Sequence, residues 1–116
     1  MKWESLLSVE DATVFRGALF RFPAKWPFED VVDFMLFDTP SSDSGYGFLA
    51  ASGYHGGRIE VLLPEEARYK TENPEGSDHA IDTKWLQRNW RKWIYDVSPR
   101  KVKVCIGGRP KPRMPG

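Results

Sequence analysis

The chain has 116 residues, 41% hydrophobic and 28% charged, with five Trp, seven Phe and four Tyr. That is enough for one domain with a real core, and it excludes wholesale disorder, because large aromatics supply the burial that offsets chain entropy. One cysteine excludes an intrachain disulfide, and the net charge of +1 hides a division. Residues 1–83 hold seven basic against fifteen acidic side chains, net −8, while residues 84–116 hold ten against one, net +9. Such asymmetry points either to charged partners or to two segments that face each other in the fold. No basic start followed by an apolar run opens the sequence, and its apolar stretches are too short for a transmembrane helix, so a cytoplasmic location is expected.

Trp3 to Ser8 reads as a short helix burying Trp3, Leu6 and Leu7. Thr13 to Phe22 reads as a strand, with Gly17 marking a bulge or a close backbone approach. Pro23 to Pro27 ends it. Val31 to Asp38 is apolar on both faces except at Asp33, the pattern of a central strand. Thr39 to Gly45 is a polar turn, and Tyr46 to Ser52 is a third strand. Gly53 to Gly57 is a tight connection into a fourth strand, Arg58 to Leu63. Short turns between these strands predict an antiparallel meander.

Glu65 to Ala80 is an acidic loop, with a helical turn allowed at its start and Asn73 to Ser77 as its turn. The spacing then predicts a helix over 83–94. Asp82 is its N-cap, and Ile81 and Leu86 have the spacing of a hydrophobic staple. Trp85, Leu86, Trp90, Trp93 and Ile94 form its apolar stripe against Lys84, Gln87, Arg88, Arg91 and Lys92. Lys101 to Ile106 is a last strand, placed at a sheet edge by its lysines. The expected fold is α+β: an antiparallel sheet of about five strands with one Trp-rich helix on one face. Residues 1–106 form the domain, and 107–116 a flexible basic Gly/Pro-rich tail.

No catalytic set emerges, and the chain reads as a non-enzyme. His55 and His79 lack metal-ligand spacing, and no metal or cofactor is implied. Gly53 to Gly57 lacks the ending of a phosphate loop. Cys105 reads as a buried inert thiol. Asp33, alone in an apolar strand, calls for a partner, and Arg16 or Arg21 could supply it. The basic helix face with Arg109, Lys111 and Arg113 could contact phosphates, so a small nucleic-acid-binding or regulatory module is the alternative function.

Several segments carry a resemblance: Arg21-Phe22-Pro23-Ala24-Lys25-Trp26-Pro27-Phe28-Glu29-Asp30, Val32-Asp33-Phe34-Met35, Ser52-Gly53-Tyr54, Leu63-Pro64, and Trp85-Leu86-x-x-Asn89-Trp90-x-x-Trp93-x-Tyr95. From about Gly17 to Tyr95 the chain resembles immunity protein family 45, small α+β proteins of bacterial polymorphic-toxin loci. The resemblance implies a stoichiometric inhibitor of a cognate toxin protein. The surface expected to meet it is acidic: Asp38, Asp43, Glu65, Glu66, Glu72, Glu75 and Asp78.

Overall fold

A computed structural model of the chain describes residues 2–70 and 80–106. The expected 73–77 turn, the basic tail, and Glu72, Glu75, Asp78 and His79 lie outside them. Strands β1 (Glu4–Ser5), β3 (Leu19–Pro23), β4 (Val31–Asp38), β5 (Tyr46–Ala50), β6 (Ile59–Leu62) and β8 (Lys103–Cys105) build one antiparallel sheet in the order β1-β8-β3-β4-β5-β6. Strands β2 (Thr13–Val14) and β7 (Ile81–Asp82) pair separately, and β7 leads directly into the helix α1 (Thr83–Asn89).

The meander β3–β6 forms as the turn chemistry predicts. Central β4 alternates in burial, with Val32, Phe34 and Leu36 at 0–2% exposure. These three face α1, which starts at Thr83 and runs as α-helix to Asn89. Asp82 caps it by accepting a hydrogen bond from the Lys84 N–H at 2.9 Å, and Ile81 and Leu86 are both fully buried. Trp90 is fully enclosed, its ring 5.4 Å from Phe20, 5.4 Å from Phe22 and 5.7 Å from Phe48. Helix and sheet therefore share one aromatic core.

Four expectations need correction. The N-terminal segment is not a helix: Glu4–Ser5 pairs with β8, a 3-10 turn follows, and only Leu6 is buried there, with Leu7 46% exposed. Two turns of helix are marginal alone, whereas the open edge of β8 offers backbone partners. The predicted Thr13–Phe22 strand is divided between two sheets. Gly17 makes the bend at φ +92, and no atom lies within 4 Å of where its Cβ would be, so conformation rather than crowding explains it.

Trp93 does not anchor the helix; it is 39% exposed and rests on Trp85, with ring centroids 6.0 Å apart. From Trp90 to Ile94 the helix is wound as π. The Asn89 side chain donates to the Trp85 carbonyl at 3.0 Å, the acceptor that the Asn89 N–H would use in an α-helix. The wider winding carries Trp93 off the stripe. Finally, β8 is not an edge, since β1 covers it. Its one lysine, Lys103, is exposed because it stands on the face opposite buried Val104, while Lys101 lies in the preceding 3-10 turn.

The second face of the large sheet is apolar and uncovered by the core. Cross-strand partners give one row of Cys105, Leu19, Met35, Leu49 and Ile59 and a second row of Phe37, Gly47 and Leu62. Of these, Cys105, at 4% exposure, and Gly47 are buried. None of Leu19, Met35, Phe37, Leu49, Ile59 and Leu62 belongs to the core cluster or packs against it. Ile59 and Leu62 are 53% and 44% exposed.

Candidate partner-binding surface

At the β4–β5 end of the sheet the chain turns through residues 39–45, which look like an ordinary polar loop in the sequence. The structure makes this loop rigid. Thr39 N–H donates to the Gly45 carbonyl at 2.8 Å, and the Ser42 hydroxyl to the Leu63 carbonyl at 2.6 Å. Ser44 Oγ in turn accepts from the Tyr46 N–H at 3.1 Å. Ser42 and Ser44 are buried, and these bonds satisfy them. Asp43, between them, is left exposed.

The turn walls an open cleft of about 860 Å³, lined by Arg16, Asp38, Asp43, Tyr46 and Arg68 among others. Asp38 pairs with Arg16 at 3.2 Å, with both side chains more than half exposed. Arg68 reaches Glu65 at 3.8 Å, while its buried Nε has no hydrogen-bond partner. Of the expected acidic set, Asp38 and Asp43 thus line one cleft and Glu65 adjoins it through Arg68. Glu66 is exposed on the same 3-10 turn, Glu65–Ala67. The cleft is of mixed charge, because Arg16 and Arg68 come from distant parts of the chain. No local pattern marks either arginine as a cleft residue.

Burial pushes the Tyr46 phenol above its ordinary pKa of 10.0; Asp38 adds to the rise and Arg16 opposes it. A folded-state pKa above the unfolded one stabilises the fold fully below about pH 10, and that contribution is lost as pH rises through the folded value. Tyr46→Phe should remove this part of the alkaline loss of stability, as read by urea denaturation at pH 9, 10 and 11. An unchanged alkaline decline would place its origin elsewhere.

The other polar groups serve the fold. Arg21 grips Asp33 through two bonds, 2.8 and 3.0 Å, which settles the partner of the lone strand carboxylate. That hydrogen bonding holds the Arg21 guanidinium above its usual pKa. Trp3 lies against the same guanidinium, 4.3 Å from ring centroid to Cζ. His55 stacks by Phe28 at 4.9 Å and accepts from Arg58 at 3.1 Å through Nδ1 in its Nε2-protonated tautomer. Cys105 is buried. Among the described residues, no three His, Cys, Asp or Glu side chains group so as to hold a metal ion. No helix among them is long and apolar enough to cross a membrane.

The pairs Arg16–Asp38, Arg21–Asp33, Arg58–Glu60, Arg68–Glu65 and Arg91–Asp96 each stay within one segment, and none of these joins residues 1–83 to residues 84–116. The opposite charges of the two segments are therefore not matched through those pairs. Lys84, Arg88, Arg91 and Lys92 stand exposed on α1, with Arg91 held by Asp96 at 2.9 Å.

Fold and surface together define a small α+β protein with one helix on a six-stranded sheet and a mixed-charge cleft at one end. The chain belongs to the immunity protein 45 family, whose model matches residues 6–104. Comparison with curated proteins gives no match, and neither does comparison with solved structures. Membership suggests an immunity protein and a non-catalytic role. The segments that carried the resemblance also meet in space: Tyr95 Oη accepts the Lys25 N–H at 3.0 Å, and the Phe22 ring lies 5.1 Å from that of Tyr95.

Proposed function

We propose that this chain is a bacterial immunity protein that binds a cognate toxin, encoded nearby, and neutralises it in the cytoplasm by stoichiometric protein–protein inhibition. The family match over residues 6–104 is the observation that carries this reading. The acidic residues Asp38, Asp43, Glu65, Glu66, Glu72, Glu75 and Asp78 steer the encounter with a basic toxin surface. Charge at the rim of an interface acts mainly on association rate.

Co-expression with the product of the neighbouring gene tests the reading. Growth should be rescued, and an equimolar complex should co-purify. Rescue without a complex would point to another mode of protection. Replacing Glu65, Glu66 and Glu72 together with Lys should leave the fold intact and slow association by about tenfold at low salt. Rising salt should slow the wild type toward the variant. An unaltered association rate would remove these acids from the contact.

A further inference from the structure

Steering brings partners together but does not hold them, and the cleft walled by the 39–45 turn has the groups to hold one. Its two arginines are unequally engaged. Arg16 is committed to Asp38, a pair at 3.2 Å with hydrogen-bond geometry. Arg68 lines the same cleft with its side chain 33% exposed. Its contact with Glu65 is 3.8 Å long, beyond the ~3.2 Å reach of an N–H···O bond, and its sealed Nε has no acceptor. The Arg68 guanidinium therefore reaches the cleft with donors to spare.

Asp43 is the complementary group. It lines the cleft, is exposed, and takes no part in the ion pairs among the described residues. Buried Ser42 and Ser44 flank it, and the Gly45 N–H donates to the Ser42 carbonyl at 3.0 Å. The carboxylate is thus carried on fixed backbone, so a partner meets it at little cost in ordering.

An open space of about 860 Å³ with one unmatched carboxylate and one arginine short of acceptors selects its occupant. A simple anion is opposed by Asp38 and Asp43, and a bare cation by Arg16 and Arg68. A polypeptide segment meets both demands, because a lysine or arginine residue carries a cationic side chain and a carbonyl oxygen together. The volume lies within the ~300–1,000 Å³ of sites that enclose a ligand of that size. Exposed Asp38, Glu65 and Glu66 stand at or beside the entrance and draw a basic segment toward it. A second copy offers exposed bases on α1, but two copies of net charge +1 have no long-range attraction. A helix-to-cleft contact between copies is also heterologous and leaves a free cleft unless a ring closes.

We propose that this cleft is the socket in which the toxin is held: a lysine or arginine of the toxin enters it and pairs with Asp43, and a carbonyl oxygen of the same segment takes N–H donors of Arg68. This rests on the toxin-neutralising reading above and adds a division of labour. The acidic surface as a whole sets how fast the complex forms, and the socket sets how long it lasts.

The test measures Asp43→Asn and Arg68→Met against the purified product of the neighbouring gene, with the fold checked by circular dichroism and thermal melting. Dissociation should speed up by at least about tenfold in each variant, with association within about threefold of the wild type, the reverse of the Lys variant. Asp30→Asn is the control: it makes the same change before β4, an eight-residue strand and roughly 25 Å away, and should leave both rates alone. A wild-type dissociation rate in either folded variant overturns the socket but leaves neutralisation standing. A matching rise in Asp30→Asn traces the effect to net charge and overturns the socket as well. A wild type that forms no complex with the toxin overturns both readings. Light scattering of the free protein supplies the remaining arm: an assembly that Asp43→Asn dissolves, with toxin dissociation unchanged, assigns the cleft to a second copy and overturns the proposal.

Discussion

Trp90→Ala is expected to lose about 3–5 kcal/mol of folding stability, the range for removing a large buried aromatic. Trp90 is the largest fully buried side chain and touches rings from both β3 and β5. Truncating it opens a cavity where helix and sheet meet, and neither can close the gap alone. Its indole Nε1 is buried with no hydrogen-bond partner, so its position is owed to packing rather than to a polar contact. Small domains have only about 5–15 kcal/mol in hand, so the variant should give up a large share of its stability. Urea denaturation followed by circular dichroism reads the loss. Trp93→Ala is the control, with an expected cost of about 1 kcal/mol for a half-exposed stacked ring. If Trp90→Ala folds normally but no longer binds toxin, Trp90 is a contact residue and the shared core has been misassigned.

Gly47→Val should cost about 2–3 kcal/mol by overpacking. A Cβ at this position would stand 2.6 Å from the Val61 carbonyl oxygen, 3.1 Å from Phe37 Cε1 and 3.3 Å from Leu62 Cδ2. The two side chains can give way, but the carbonyl belongs to the neighbouring strand. Relief therefore requires β6 to move away from β5, beside the register shift already present at Phe48/Leu49. Hydrogen exchange should show β6 amides losing protection first, with β3 and β4 little altered. Protection retained along β6 would mean that the sheet absorbs the methyl groups by twisting.

Much of the fold is legible where sequence pattern and environment agree. The alternation of Val31 to Asp38, the breakers between strands and the Asp82 cap all act through neighbours in sequence, and each feature lies where the pattern puts it. The lone Asp33 in an apolar strand likewise announces its need for a partner, although the choice of Arg21 over Arg16 depends on register. The surface is less legible. A turn rich in Ser reads as solvated, but Ser42 and Ser44 are buried because the Leu63 carbonyl, nineteen or more residues away, comes within reach. Arg16 and Arg68, far apart in sequence, line one cleft only in the folded chain, where Gly17 bonds to Leu36 and Arg68 bridges Ile81.

Composition and periodicity by themselves determined an α+β fold, an antiparallel meander and a capped tryptophan helix, because these follow from local propensity and the burial of one face. The motif segments likewise determined membership of the immunity protein 45 family. Tertiary structure alone decided that β8 lies inside the sheet and that Trp93 turns outward. It also decided that six apolar side chains are left on a face with no core behind them. A strand's apolar residues look the same in sequence whichever layer they meet; only the placement of the single helix determines which face is covered.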